Sequence, residues 1–459
     1  MEKRNNNTLV GMTAFGAIFF IFGFATTFII QLSAPVMAVF NLTEFQAQLL
    51  TSAFFIAYPI MSVPTGWLVN RIGYKYTVVA GLILMALGSL IFIPAARIPS
   101  YPLFLGATFV LAIGVVFLQV SANPYVTALG PEKSASSRLN LTQALNSIAT
   151  MIAPWLIATV IFKGLNLPLQ ATETEQVNYG LEVAARIPFP FIAMALIVIL
   201  VAIVLLMIKL PDIVAGNTEK GGKVFKYPHV MLGAFGIFCY VGAEAGNAGL
   251  MTNYLREGSL ALSAEEAATY AAIYWGGAMV GRFFGSIMFS EMPSNKKYLY
   301  SSLVLVLAFI SGAFVTEWNW VIGAIFTGAS VINFIFMMIG KGQPARTLAI
   351  FALMAGLFGL ITTFTQGHVA LWTVVSIGLF NSIMFPNIFA LAVKDLKGGE
   401  LASASGVINS LILGGAVIPP IMGSIADNYG YTYAYIVPAL CYLYIFFYAI
   451  KGSLIRRAA

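Results

Sequence analysis

The stretch Lys209-Leu-Pro-Asp-Ile-Val-Ala-Gly-Asn-Thr-Glu-Lys-Gly-Gly-Lys-Val-Phe-Lys226 interrupts a chain that is otherwise almost continuously apolar. Pro211, Asp212, Gly216, Glu219, Lys220, Gly221, Gly222 and Lys223 favour turns and water, so the stretch reads as a linker between two halves. A membrane-spanning helix takes roughly 20 mostly apolar residues. Six candidates precede the linker: 10–35, 46–69, 76–96, 101–128, 140–162 and 187–209. Eight follow it: 229–255, 267–290, 298–316, 319–339, 345–364, 369–393, 403–425 and 432–450. The expectation is an all-α polytopic membrane protein of about 14 helices. It divides into an N-terminal bundle at 1–209, a linker at 210–226 and a C-terminal bundle at 227–459.

Composition points the same way. Of the 459 residues, 59% are apolar and 9% charged, and mean hydropathy is +0.89. Soluble domains hold about 45–50% apolar and about 25% charged residues. A water-soluble globule has nowhere to hide this surface, which excludes a soluble enzyme, a secreted module and a disordered chain. The net charge of +7 is explained by loops on one side of a bilayer rather than by nucleic acid. Two cysteines, Cys239 and Cys441, cannot supply a disulfide framework. The first apolar segment is too long for a cleaved signal peptide.

Alternating fourteen segments across a membrane sorts the 24 Lys and Arg. All but Arg97, Lys163, Arg186 and Arg256 fall on the side of the N-terminus. Such a bias marks the cytoplasmic side, so both termini are expected there. The halves also echo one another. Gln119 lies five residues before Pro124, and Asn381 five before Pro386. Asn146-Ser147 precedes Pro154, and Asn409-Ser410 precedes Pro419-Pro420. Gly66 to Lys75, with Asn70, Arg71 and Gly73, has a later partial copy in Gly277 to Arg282. Secondary transporters are often built from such repeats, with the substrate held between them near the midplane.

The runs Leu118-Gln-Val-Ser-Ala-Asn-Pro-Tyr-Val126, Leu129-Gly-Pro and Ser137-Arg-Leu-Asn-Leu-Thr-Gln-Ala-Leu-Asn-Ser147 carry a resemblance. So do Tyr240-Val-Gly-Ala-Glu244, Tyr274-Trp-Gly-Gly-Ala-Met-Val-Gly-Arg282, Gly378-Leu-Phe-Asn-Ser-Ile-Met-Phe-Pro386 and Gly414-Gly-Ala-Val-Ile-Pro419. In order and along most of its length, the chain resembles the fucose:proton symporter family of the major facilitator superfamily, in its glucose/galactose branch. The resemblance implies two six-helix bundles, alternating access, and a sugar moved with a cation by a monomer in the bacterial inner membrane. Two features depart from that family. Its core has twelve helices, so an extra hairpin is expected, at about 319–364. Where the family's first helix carries an Asn-Asp pair, this chain has Ile29-Ile30, with Gln31 beside them. Where the fucose branch has a Glu in its fourth helix, this chain has Gln119, as the glucose/galactose branch does.

Of the 17 acidic residues, sixteen fall in loops or at segment ends; Glu244 alone lies deep within a segment. An ionisable group there costs roughly 2.5–3.5 kcal/mol to insert and so calls for a partner or a task. Glu244 is the candidate cation-coupling residue, for a proton or sodium; a structural carboxylate hydrogen-bonded to a neighbour is the competing reading. Sugars present hydroxyls that carboxamides match as donor and acceptor at once. The embedded amides Gln31, Gln119, Asn123, Gln143, Asn146, Asn247 and Asn381 are the candidate substrate ligands. Any one of them could instead bond helices together. The resemblance assigns Gln119, Gln143 and Asn146 to the cavity, and Asn247 shares a helix face with Glu244. Tyr274-Trp275 could stack on a sugar, while Trp318 and Trp320 suit the interfacial belt. Arg71, Lys75 and Arg282 are expected in cytoplasmic loops as a conformational latch, weakened by Asn70 where the superfamily usually has Asp. His229 and His368 make no zinc site, and no cofactor, nucleotide loop or enzymatic constellation is apparent.

These features point to a cation-coupled importer of a hexose, such as glucose or galactose, or of an N-acetylhexosamine. An uncoupled sugar facilitator and a drug:proton antiporter are the alternatives.

Overall fold

The computed structural model describes residues 2–129, 135–165, 171–211, 226–290, 292–396 and 398–455. Most of the expected linker, 212–225, lies outside them. Among the described residues the fold is helical throughout, without strands. Twelve stretches are long and apolar enough to cross a bilayer. One of them, Glu44–Arg97, runs for 54 residues, more than twice what a membrane requires. It is broken at Gly73, whose backbone is not helical (φ 81°, ψ 168°), and so makes two crossings. The 25-residue helix Ala264–Met288 adds one more, giving fourteen.

We number the crossings in order. In the first half, α1 is Glu2–Gln31 continued by Ser33–Phe40. Next, α2 runs from Glu44 to the break and α3 from the break to Arg97. Then come α4 at Tyr101–Ala128, α5 at Ala135–Leu156 with the π turn Ile157–Phe162, and α6 at Glu173–Arg186 with Pro188–Met207. In the second half, α7 is Pro228–Glu257, α8 Ala264–Met288, α9 Ser294–Val315, α10 Trp320–Ile339 and α11 Pro344–Phe364. The chain ends with α12 (Gly367–Asn381, Met384–Ala392), α13 (Gly398–Ser410, Leu411–Leu413, Gly414–Tyr429) and α14 (Tyr431–Ala434, Ile436–Phe447, Tyr448–Gly452). An even number of crossings leaves both ends on one side, the terminal face. The other side is the far face.

The halves meet where α2 packs on α13 and α5 packs on α8. Within the C-terminal half, bare backbones allow close approaches. A side chain at Gly378 of α12 would overlap the Tyr274 carbonyl of α8, and one at Gly414 of α13 would overlap that of Phe238 on α7. Two crossings change character midway, α12 after Asn381 and α13 at its 3-10 turn, while α5 ends in a π turn behind Pro154. Breaks at this depth line the substrate sites of many transporters.

The expected extra hairpin at 319–364 does not pack as a hairpin: α10 and α11 touch little. Instead α9 and α10 lie together, with Phe309 stacked on Trp320 and Gly323 against the Phe309 carbonyl. In the N-terminal half, α3 packs on α4 through Gly81, Gly88 and Gly114, and on α6 through Phe92 and Phe191. In the same way α11 packs on α12 through Phe351, Phe358 and Phe380, and on α14 through Gly356 and Gly359. So α11 repeats α3, and the pair outside the repeat is α9–α10, spanning 294–339. That pair leans on both halves. Phe326 and Phe334 reach α8, Trp155 of α5 meets Phe314, and Lys163 pairs with Glu317 at 3.1 Å.

Candidate functional site

The buried helix α7 carries Glu244 at mid-length. Tyr240, one turn earlier, donates its hydroxyl to Glu244 Oε1 at 2.6 Å. Arg282 of α8 stands 3.8 Å from the same oxygen, and the two side chains are only 13% and 20% exposed. Arg282 is therefore not in a loop: α8 continues six residues beyond it, to Met288. Its other nitrogen donates to Ser147 Oγ on α5 at 3.0 Å. A carboxylate of one half is thus linked through a guanidinium to a helix of the other.

A second chain of contacts converges on the same place. Asn381 Nδ2 donates to the Tyr274 hydroxyl at 2.8 Å, and Tyr274 donates to the Glu244 carbonyl at 3.3 Å. Asn381 ends the first segment of α12, so the break aims it at α8. Asn247, next along the face from Glu244, donates to the Tyr442 hydroxyl at 2.9 Å. Three buried atoms here, Asn247 Oδ1, Asn381 Oδ1 and Trp275 Nε1, have no hydrogen-bond partner among the described residues. Buried polar groups are nearly always satisfied, so two acceptors and a donor left open suit a hydroxylated guest or ordered water.

The other candidates divide. Ser147 accepts from Arg282 and also donates its hydroxyl to the Gln143 carbonyl, one turn earlier on α5, at 2.8 Å. Asn146 donates to the Phe19 carbonyl of α1 at 2.9 Å, and Gln119 accepts from the Tyr58 hydroxyl at 2.6 Å; both are held within the N-terminal half. Asn123 is half-buried and engaged. Gln31 donates across the halves to the Ala248 carbonyl at 3.0 Å, towards the far face. Ile29 and Ile30 are packed in the core. Of the expected latch, Arg71 lies over Trp67 of its own helix, 5.1 Å from the ring centre. Lys75 donates to the Leu206 carbonyl of α6 and to that of Ile208 just beyond it, inside the same half.

One acid escapes a reading by segment ends. Glu44 begins α2 yet is fully buried, with Gln48, Asn253 and Tyr431 all donating to its carboxylate. Its position at a helix start is plain in the sequence; that α7 and α14 close over it is not. Among the described residues no three His, Cys, Asp or Glu converge as a metal site, and Cys239 and Cys441 are unbridged. A pocket of about 290 Å³ opens beside Tyr254, Glu257, Gln366 and Tyr431 on the far face. It starts about three turns of α7 from Glu244, so it is not the chamber of this network.

The family model of the Major Facilitator Superfamily matches residues 13–343. A glucose/galactose transporter of Brucella abortus (biovar 1, strain 9-941) is 38% identical over 447 residues, covering 96% of this chain and 94% of that one. The L-fucose-proton symporter of Escherichia coli K12 is 31% identical, covering 94% and 91%. A crystal structure of the E. coli symporter FucP in the outward conformation is similar at TM-score 0.65 and 28% identity, over 97% of this chain and 99% of that one.

Proposed function

Since the chain belongs to the Major Facilitator Superfamily, we propose that it is a sugar:proton symporter that imports a hexose of the glucose or galactose kind by alternating access. The observation that carries this reading is the Glu244 network. A carboxylate in the membrane interior is held by Tyr240 and Arg282, beside amides whose polar atoms are still open. In this reading Glu244 takes the proton, Arg282 responds to its charge, and Asn247, Asn381 and Gln143 receive sugar hydroxyls. The names of the relatives support a sugar as substrate and a proton as the coupling ion. The excess of Lys and Arg on the terminal face supports a cytoplasmic location for both termini, in a bacterial inner membrane.

The test is uptake of radiolabelled glucose, galactose, fucose and N-acetylglucosamine into proteoliposomes with and without an imposed proton gradient. The reading requires accumulation that a protonophore abolishes and that sodium does not replace. It also requires Glu244→Gln to lose accumulation while keeping sugar exchange.

A second reading has its own observation. A carboxylate kept permanently ionised by Arg282 would carry no proton, and the protein would then be an uncoupled sugar facilitator. In that case sugar equilibrates in the parent vesicles and the protonophore changes nothing.

A further inference from the structure

The sequence Gly423-Ser-Ile-Ala-Asp427-Asn-Tyr-Gly430, at the end of α13, has the spacing of Gly66-Trp-Leu-Val-Asn70-Arg-Ile-Gly73, at the end of α2. The likeness extends to the backbone. Gly73 has φ 81° and ψ 168°, and Gly430 has φ 97° and ψ 155°, both in a region that side chains rarely enter. Each turn ends one crossing and starts the next, but on opposite faces: 66–73 on the terminal face, 423–430 on the far face. They differ at the fifth position, which is an amide in one and a carboxylate in the other.

That carboxylate reaches into the other half. Asp427 Oδ1 accepts from the Glu44 backbone N–H at 2.7 Å, and Oδ2 accepts from that of Phe45 at 2.8 Å. The first N–H groups of a helix have no partner within it. Thr43 caps the third of this helix, at Gln46, so a residue of α13 completes the cap of α2. Gly423 lets the two approach, since a side chain there would press on the Glu44 carbonyl and the Phe45 nitrogen. Glu44 in turn accepts from Asn253 of α7 and Tyr431 of α14, each at 2.8 Å. Four hydrogen bonds thus join the halves within one turn of α2. Asn70, the counterpart on the terminal face, is exposed.

We propose that the 423–430 turn is a far-face clasp, and that Asp427 is the positioning residue holding the resting carrier closed on that side. The proposal rests on the alternating-access reading. For the far face to open, α2 must leave α13, and the two Asp427 bonds and the two to Glu44 must part together.

Thr51 reports on this opening. It is fully buried on α2, on the face shared with Glu44 and Gln48. The full chain carrying Thr51→Cys, with Cys239 and Cys441 replaced by Ala, is placed in vesicles with the far face outward and treated with a membrane-impermeant maleimide. The parent should label slowly. Asp427→Ala should label about tenfold faster, as expected from loss of a helix-capping side chain. Asp427→Asn retains one acceptor and should fall between them. An Asp427→Ala protein that matches the parent in amount and melting temperature yet labels no faster would overturn the clasp. If Asp427→Ala fails to fold, an Asp427→Asn protein labelling at the parent rate would do the same. Sugar uptake by the parent decides the transport reading separately, because maleimide labelling requires no substrate.

Discussion

Replacing Glu244 and Arg282 singly and together separates a structural ion pair from a coupling device. At 3.8 Å and an effective dielectric constant of about 20, the two charges attract by about 4 kcal/mol. Most of that offsets the desolvation of two groups that are 13% and 20% exposed. Removing one partner of a buried pair costs about 3–5 kcal/mol, because the other charge stays buried without its partner. This pair is long, and whichever charge is left keeps one hydrogen bond, Glu244 from Tyr240 or Arg282 to Ser147, so the lower end applies. Arg282→Gln should destabilise by about 3 kcal/mol. Glu244→Gln should cost about 2 kcal/mol, since its amide oxygen can still accept from Tyr240. The double variant should cost about 3 kcal/mol rather than the additive value of about 5, a coupling energy of about 2 kcal/mol by thermal unfolding in detergent. Transport divides the two roles. If the pair only braces the bundle, the double variant accumulates sugar at least as well as Arg282→Gln alone. If Glu244 carries the proton, the double variant is as stable as Arg282→Gln alone and exchanges sugar, but does not concentrate sugar when a proton gradient is imposed. A Glu244→Gln protein that accumulates sugar like the parent would refute the coupling role. Additive stabilities would refute the pair itself.

Other consequences are simpler to measure. Asn381→Ala removes the donor to Tyr274 and an open acceptor, and should raise the sugar KM about tenfold at unchanged protein level. Gly378→Ala drives a methyl into the Tyr274 carbonyl and should lower the melting temperature by the equivalent of about 1–3 kcal/mol of overpacking. On the terminal side, a hydrogen bond from Tyr227 and the ammonium of Lys226 hold the Glu400 carboxyl below its ordinary value, and Glu400 raises Lys226. A depressed carboxyl stabilises above its unfolded value and loses that contribution as pH falls through the folded one. Glu400→Gln should therefore melt slightly below the parent at pH 7, and the gap should close at pH values below the carboxylate range.

The number of crossings, their all-helical character and the two halves are legible in hydropathy alone, because lipid leaves a backbone few alternatives. Which two helices are extra is not. Pairing 319–364 or 294–339 gives equal lengths, equal parity and the same sorting of Lys and Arg. Only contacts such as Phe351–Phe380 and Gly359–Ala439, which make α11 the counterpart of α3, distinguish them. Arg282 is a different kind of miss. The apolar stretch 267–290 already encloses it, and only the likeness of Gly277–Arg282 to the 66–75 turn pointed to a loop. Its depth, with Glu244 one helix away, is what turns a lone acid into a pair. Glu44 could not be found from spacing, since a helix start is ordinarily wet. Its burial comes from α7 and α14, which are contributed more than 200 residues later in the chain.

The central pair and the far-face clasp sit on one rigid element. Within nine residues of α7, Glu244 meets Arg282, Ala248 and Gly249 accept from Gln31 and Ser33 of α1, and Asn253 donates to Glu44 of α2. At 1.5 Å per residue that span is about 14 Å, or two and a half turns. The helix between carries Gly246 and Gly249 against Met422 of α13 and Gln48 of α2, so it fits closely on both neighbours. A close-packed helix of this length moves as a unit rather than bending. A shift of Glu244 relative to Arg282 then tilts Asn253 relative to Glu44, and opening the clasp pulls on the pair. Arg282→Gln should therefore change the maleimide labelling of Thr51→Cys, although Arg282 touches neither Asp427 nor α2. Two independent sites would leave that rate as it is in the parent, and a rate unchanged in a folded Arg282→Gln protein would break the link through α7.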